Sequence, residues 1–228
     1  MSGNRLNIAT GMGMAFVGGY VDVVGFVLLF GLFVAHATGN LVMLGVALAG
    51  DSGGLATKLL ALPTFLVVAS LAYAFVRSRK ARGLPCEALV LGLQALLLTA
   101  FALLTVAATP AGAADRPEVM LAGLVGVAAM AVQNVGARVV FGHLAPTTMM
   151  TGNVTQMAID IVDVVTARGR PDEALRARLV KTWPPVAAFA LGAVGGAAGV
   201  LVAGAWSLLL AAVAVATLAA LHAMSVRR

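Results

Sequence analysis

Charged residues are scarce in this chain: 11 % of its 228 residues are Asp, Glu, Lys or Arg, where a soluble domain carries roughly a quarter. An ordinary water-soluble enzyme is thereby excluded. Cys86 is the single cysteine, which rules out an intrachain disulfide and a cysteine metal cluster. No phosphate loop, Rossmann fingerprint, H-E-x-x-H or G-x-S-x-G elbow occurs in the chain. Nothing soluble-catalytic is written here, and the expectation is a protein that is not an enzyme, without cofactor or metal.

What is there instead is apolar length. Hydrophobic residues make up 61 % of the chain, enough for six to eight bilayer crossings at about 20 residues each. Fifteen Lys and Arg against nine Asp and Glu leave a charge of +6. These charges fall in gaps between apolar runs, as the positive-inside rule requires, so nucleic acid is not an expected partner. The partner is the lipid bilayer. The apolar run from Gly11 to Gly50 far exceeds a signal-peptide core and should be retained.

Eight apolar segments stand out, at about 13–34, 38–50, 58–76, 87–108, 118–137, 148–165, 183–202 and 204–222. The second is too short to cross a core of about 30 Å as a helix. The sixth ends in Asp160 and Asp163, a poor fit to hydrocarbon. The triplet Thr38-Gly39-Asn40 recurs as Thr151-Gly152-Asn153. Each copy is preceded by an apolar segment with a polar cluster, Tyr20 and Asp22 or Gln133 and Asn134. Each is followed by an apolar helical stretch, a polar gap and then a helix with an early proline, Pro63 or Pro184. A duplication of segments one to four as five to eight follows, with repeats of about 13–108 and 118–222 inside one integral membrane domain, 1–228.

Charge then orients the chain. Arg77, Arg79, Lys80 and Arg82 form one basic gap, and Arg168, Arg170, Arg176, Arg178 and Lys181 another; Arg5 opens the chain and Arg227 and Arg228 close it. All belong on the cytoplasmic side. That requires an even number of crossings between them, met if segments two and six enter and leave on one side. The expected architecture is all-α and polytopic, with six full transmembrane helices plus two broken or re-entrant elements in an inverted repeat. Eight full crossings is the alternative.

The triplets suit a break at membrane depth: Thr can cap the helix that follows, Gly can pack closely, and Asn can donate and accept. Opposed helix starts near the midplane would bring Asn40 and Asn153 together over one cavity and favour an anion or oxygen-rich solute. The same residues could equally serve only to satisfy broken backbone. Asp22 is the one carboxylate inside an apolar run; it reads either as a coupling site for a cation or proton, or as a fixed hydrogen-bond acceptor for Tyr20 or His36. His36 and His143 lack the companions a metal needs. Pro146, Thr147 and Thr148 read as the loop into the second triplet, Gln94 as a cavity or helix-association residue, and His222 and Cys86 as interfacial. Gly192, Gly195, Gly196 and Gly199 space small residues for helix packing, within the monomer or between copies as a homo-oligomer. Trp183 and Tyr73 suit the interfacial belt.

The runs G-Y-V-D-V-V-G-F at Gly19–Phe26, A-T-G-N at Ala37–Asn40, Gln133-Asn134 and T-T-M-M-T-G-N at Thr147–Asn153 resemble the YoaK-like family of bacterial multi-pass inner-membrane proteins, best known as a domain of unknown function. The resemblance spans nearly the whole chain. It implies an inner-membrane protein of this size with no established substrate, and assigns no residue a role. The expectation from the residues is a transporter or channel for a small polar or anionic solute. The competing reading is a non-transporting membrane protein acting through helix packing with partners.

Overall fold

A computed structural model describes residues 3–50, 53–110, 112–148, 150–166 and 172–226. Met149, Arg168, Arg170, Arg227 and Arg228 lie outside the described residues. Among the described residues eight α-helices follow one another: α1 (Gly3–Leu28), α2 (Gly39–Leu48), α3 (Leu55–Ala81), α4 (Glu87–Ala108), α5 (Pro117–Val135), α6 (Met150–Thr166), α7 (Glu173–Ala203) and α8 (Leu208–Val226). The protein is an all-α, multi-spanning helical bundle. Five stretches among the described residues are long and apolar enough to cross a membrane: Arg5–Leu28, Leu55–Ala81, Glu87–Ala108, Pro117–Val140 and Glu173–Ser225. The last folds back on itself. Gly204 takes φ +54°, a 3-10 turn follows over Gly204–Ser207, and α7 and α8 run in opposite directions.

Side-chain pairings fix those directions. Along α1, Gly11, Phe16 and Tyr20 meet Pro185, Gly192 and Gly196 in rising order, so α1 and α7 are parallel. Thr10 bonds His222 at 2.9 Å and Tyr20 donates to the Ser207 carbonyl at 3.0 Å, so α8 is antiparallel to α1. Gln94 donates to Gln133 at 2.6 Å while Phe101 meets Gly126, making α4 and α5 antiparallel. Thr57 meets Gly123, and Lys80 Nζ donates to the Val139 carbonyl at 2.6 Å, making α3 and α5 parallel. Helices α1, α4, α5 and α8 form the core, with α7 laid on α1 and α3 on α5.

All the described basic clusters consequently gather at one end: Arg5 on α1, Arg77, Arg79 and Lys80 on α3, Arg138 after α5, and Arg176, Arg178 and Lys181 on α7. Two expected gaps are shorter than their polar runs. Helix α3 continues through Arg77–Lys80 and α7 begins at Glu173, ten residues before the apolar run. Cations in the last turn of α3 complement its dipole. At the start of α7, Asp172 caps the helix by accepting from Leu175 N at 2.7 Å. Segment one is also shorter than its apolar run. It stops at Leu28, and Phe30 (φ +54°) and Gly31 (φ +79°) turn the chain sharply. Pro63, Pro184 and Pro185 sit inside intact helices, which membrane helices accommodate through neighbouring contacts.

The glycines of segment seven pack within the monomer. A Cβ on Gly196 would lie 2.7 Å from the Tyr20 carbonyl oxygen, and Gly192 abuts the Phe16 carbonyl. These are backbone-to-backbone approaches that only glycine permits. Gly195 and Gly199 face the Phe16 and Tyr20 rings.

Candidate functional site

Two loops define the site. After α1 the chain turns at Phe30–Gly31 and descends beside α1, where Val34 packs against Gly25 and Gly126; α2 then leads it away again. After α5 a single π-turn, Gly136–Val140, continues the helix. The chain then doubles back through Leu144, against Gly11, to Thr147 and Thr148, which lie against Gly18. Each loop is thus followed by a helix that starts inside the bundle.

Each loop is held twice, at matching spacings. Asn40 accepts from Phe33 N at 2.9 Å and donates to the Phe33 carbonyl at 2.7 Å, seven residues back. Asn153 donates to the Pro146 carbonyl at 2.8 Å, also seven residues back. Asp22 accepts from Ala35 N at 2.6 Å and pairs its second oxygen with His36 Nδ1, fourteen residues on. Asn134 accepts from the Thr148 hydroxyl at 2.8 Å, again fourteen residues on. An amide in one half stands where the other has a carboxylate. All four polar groups therefore have partners, as broken backbone among apolar helices demands.

Some expected roles change. Thr38 makes no capping hydrogen bond with its side chain, and its backbone is already helical (φ −73°, ψ −24°); Asn40 clamps the loop in its place. Thr151 lies inside α6, exposed, its carbonyl accepting from Thr155. Gly39 is required by closeness, since a Cβ would lie 2.9 Å from the Phe33 ring, whereas Gly152 has open space around it. Tyr20 turns away from Asp22 to Ser207. His222 is buried between Thr10 and the Phe141 ring, and Cys86 is buried at the start of α4. Asp160 is turned inward: Arg178 Nε donates to it at 3.2 Å and Gln156 at 2.9 Å, while Arg178 also bonds Asp163 at 2.5 Å. The α6 face left outside is apolar, with Ile159, Ile161, Val162 and Val165 exposed. Both acids of the apolar segment thus meet one guanidinium, with Asp160 Oδ2 left unpartnered among the described residues.

A buried amide chain links the two halves. Gln94 donates to Gln133, whose Nε2 donates to the Met14 carbonyl at 2.9 Å and to Thr147 Oγ1 at 3.3 Å. Gln94 is thus a helix-association residue. Thr147 borders a polar cavity of about 700 Å³ that opens toward the basic end. Its wall includes Asn134, Arg138, Thr148, Asn153, Lys181 and Thr182. Only the second triplet reaches this cavity. The first loop is covered instead by rings: Phe33 lies 4.8 Å from Phe26, and His36 lies 6.1 Å from Phe33 and 5.9 Å from Phe189.

Both loops lean on neighbouring turns of α1, the second at Gly18 and the first at Asp22, about 6 Å apart at 1.5 Å per residue. The motifs that build these anchors fall within a family described as "Protein of unknown function (DUF1275)", whose pattern matches residues 10–221. The chain belongs to this family. No curated protein and no solved structure matches it. The DUF1275 match takes in both loops, both triplets and all the core helices, and it attaches no chemistry to them.

Sequence reasoning misses Arg138, Gln156, Lys181 and Thr182 as neighbours of the second triplet. Gln156 carries a signal, standing one helical turn before Asp160 on an apolar helix. The others are brought in by the packing of α6 on α7, which no spacing announces.

Proposed function

We propose that this protein is a transporter or channel for a small polar solute, seated in the bacterial inner membrane. On this reading α1, α3, α4, α5, α7 and α8 cross the membrane, while the chain at α2 and α6 dips in and returns. Both termini and the basic end face the cytoplasm, as the sorting of Lys and Arg to one end favours. The halves form an inverted repeat. Exchanging α1 with α5, α3 with α7 and α4 with α8 turns the parallel α1–α7 pair into the parallel α5–α3 pair. It also turns the antiparallel α1–α8 pair into α5–α4. Contacts that survive this exchange are what a twofold axis in the membrane plane produces.

The observation that carries the reading is the convergence of two helix-breaking loops on one stretch of α1, Gly18–Asp22, with a polar cavity reaching the second of them. Irregular backbone at that depth belongs beside protein or a water-filled path. Asp22, His36, Thr38, Gly39, Asn40, Gln133, Asn134, Thr151, Gly152 and Asn153 are the proposed path and its supports, with Asp22 and His36 as the group that senses a coupling cation or proton. The glycines of α7 are used against α1, which removes the main support for a protein that works only by packing against partners.

Purified protein in sealed liposomes tests this. Solute efflux that depends on the protein, and that falls when a bulky side chain is placed at Gly18 or Thr148, is expected. Liposomes as tight to polar solutes as protein-free ones, with correctly folded protein, would overturn it.

A further inference from the structure

The cavity beside the second triplet has a composition of its own. Three cations, Arg138, Arg178 and Lys181, line it, and no carboxylate does among the described residues. Arg178 is engaged by two carboxylates just behind the wall, Asp160 and Asp163, so the positive charge of the cavity comes from the other two. Arg138 and Lys181 make no ion pair among the described residues, and both are exposed to the cavity mouth. Deeper in, Thr182 is only 7 % exposed, lines the cavity and has no hydrogen-bond partner among the described residues. Thr147, 1 % exposed, accepts from Gln133 and leaves its own hydrogen undirected. Buried hydroxyls facing an open polar space, under two free cations, are unmatched donors. Helix α6 starts at the same wall and adds the positive end of its dipole.

We infer that this cavity binds a small oxyanion, held by Arg138 and Lys181 at the mouth and by the Thr147 and Thr182 hydroxyls at the floor. The inference deepens the transport reading, on which it rests, by giving its solute a class. A free phosphate-sized anion and the phosphate of a lipid headgroup share the recognised chemistry. Every donor named would donate to the anion, and charge assistance makes the two cationic contacts the strong ones.

The test uses the full chain in nanodiscs of neutral phosphatidylcholine, titrated calorimetrically with inorganic phosphate and with sulfate. Saturable binding is expected. Arg138→Gln and Lys181→Gln should each weaken it about ten-fold, the equivalent of one charge-assisted contact. Thr182→Val should weaken it less, and Arg77→Gln, exposed at the same end but on α3, should leave it unchanged. Lys181→Arg keeps the charge and should restore most of the affinity, which separates lost binding from lost folding. Anionic phosphatidylglycerol in the disc competes if the headgroup is the ligand and does not if the anion is free. Absence of binding, or an equal loss with Arg77→Gln, overturns the site. A protein that binds the anion but moves nothing keeps the site and loses the transport reading; one that passes only neutral solutes without binding the anion does the reverse.

Discussion

The two halves of this molecule share a plan and differ in how firmly each part is held. Helix α7 lies on α1 through Gly19, Gly192 and Gly196, with carbonyl oxygens where a side chain would have to go. The equivalent pair, α3 on α5, meets through side chains: a would-be Cβ on Gly123 lies 3.4 Å from Thr57 Cγ2 of α3, and 2.5 Å from Leu32 Cδ2 of the first loop. An apolar groove of about 350 Å³ lies between α3, α4 and α5. Against that, the first loop is the closed one: its anchor is a carboxylate, its cover aromatic. The second loop has a neutral anchor and an open cavity. The proposed duplication accounts for the plan. The differences separate a first loop closed over the Asp22–His36 pair from a second loop left accessible.

The largest effect should come from the tight helix pair. Gly192→Ala forces backbone apart and should cost about 3 kcal/mol, at the upper end of overpacking penalties. Gly123→Ala displaces only the end of a leucine and should cost about 1 kcal/mol. Thermal or denaturant unfolding in detergent measures both, and equal losses would erase the distinction between a backbone contact and a side-chain contact.

Next come the anchors. Asp22→Ala strands the Ala35 N–H and the His36 ring, and should destabilise by about 2–3 kcal/mol, as for buried hydrogen bonds to a charged group. Asn134→Ala leaves one hydroxyl unpaired and should cost about 1 kcal/mol. Asp22→Asn makes the first half resemble the second. It should preserve the fold while removing any dependence of liposome flux on a proton or sodium gradient. A variant as gradient-dependent as the parent would confine Asp22 to structure.

The two triplet asparagines offer a finer contrast. Asn40 closes two hydrogen bonds on Phe33 and Asn153 one on Pro146. Asn40→Ala should therefore cost roughly twice as much as Asn153→Ala, about 2 against 1 kcal/mol, in the same unfolding measurement. Smallest of all should be the effect of labelling. In a Cys86→Ala background, Gln156→Cys in the cavity wall should react with a polar thiol reagent faster than Phe33→Cys under its ring cover. Similar rates would mean that the halves are equally open.

Much of the plan is legible in the order of the residues. An excess of apolar residues, one acid in a long apolar run and a repeated Thr-Gly-Asn point to the class, the proposed duplication and the positions of both breaks. Asp22 and His36, Gln133 and Asn134 are identifiable because a polar group among apolar neighbours must be satisfied somewhere. What carries no local signal is the partner. Thr38 reads as a cap and is not one. His222 carries no local sign of its partner, Thr10, which reaches it across 212 residues.

Local composition is enough to make this protein helical and membrane-spanning, through apolar length, and to double the pattern of loop breaks, through the Thr-Gly-Asn triplets. These follow from properties each segment carries alone: hydropathy, the glycine and asparagine at a break, the placing of cations. Packing in three dimensions is what commits the α7 glycines to α1, turns Asp160 inward to Arg178, and sets Arg138, Lys181 and Thr182 around one cavity. The reason is geometric. Helix directions and crossings bring together residues tens of positions apart, and which surfaces meet depends on the packing of all the helices at once.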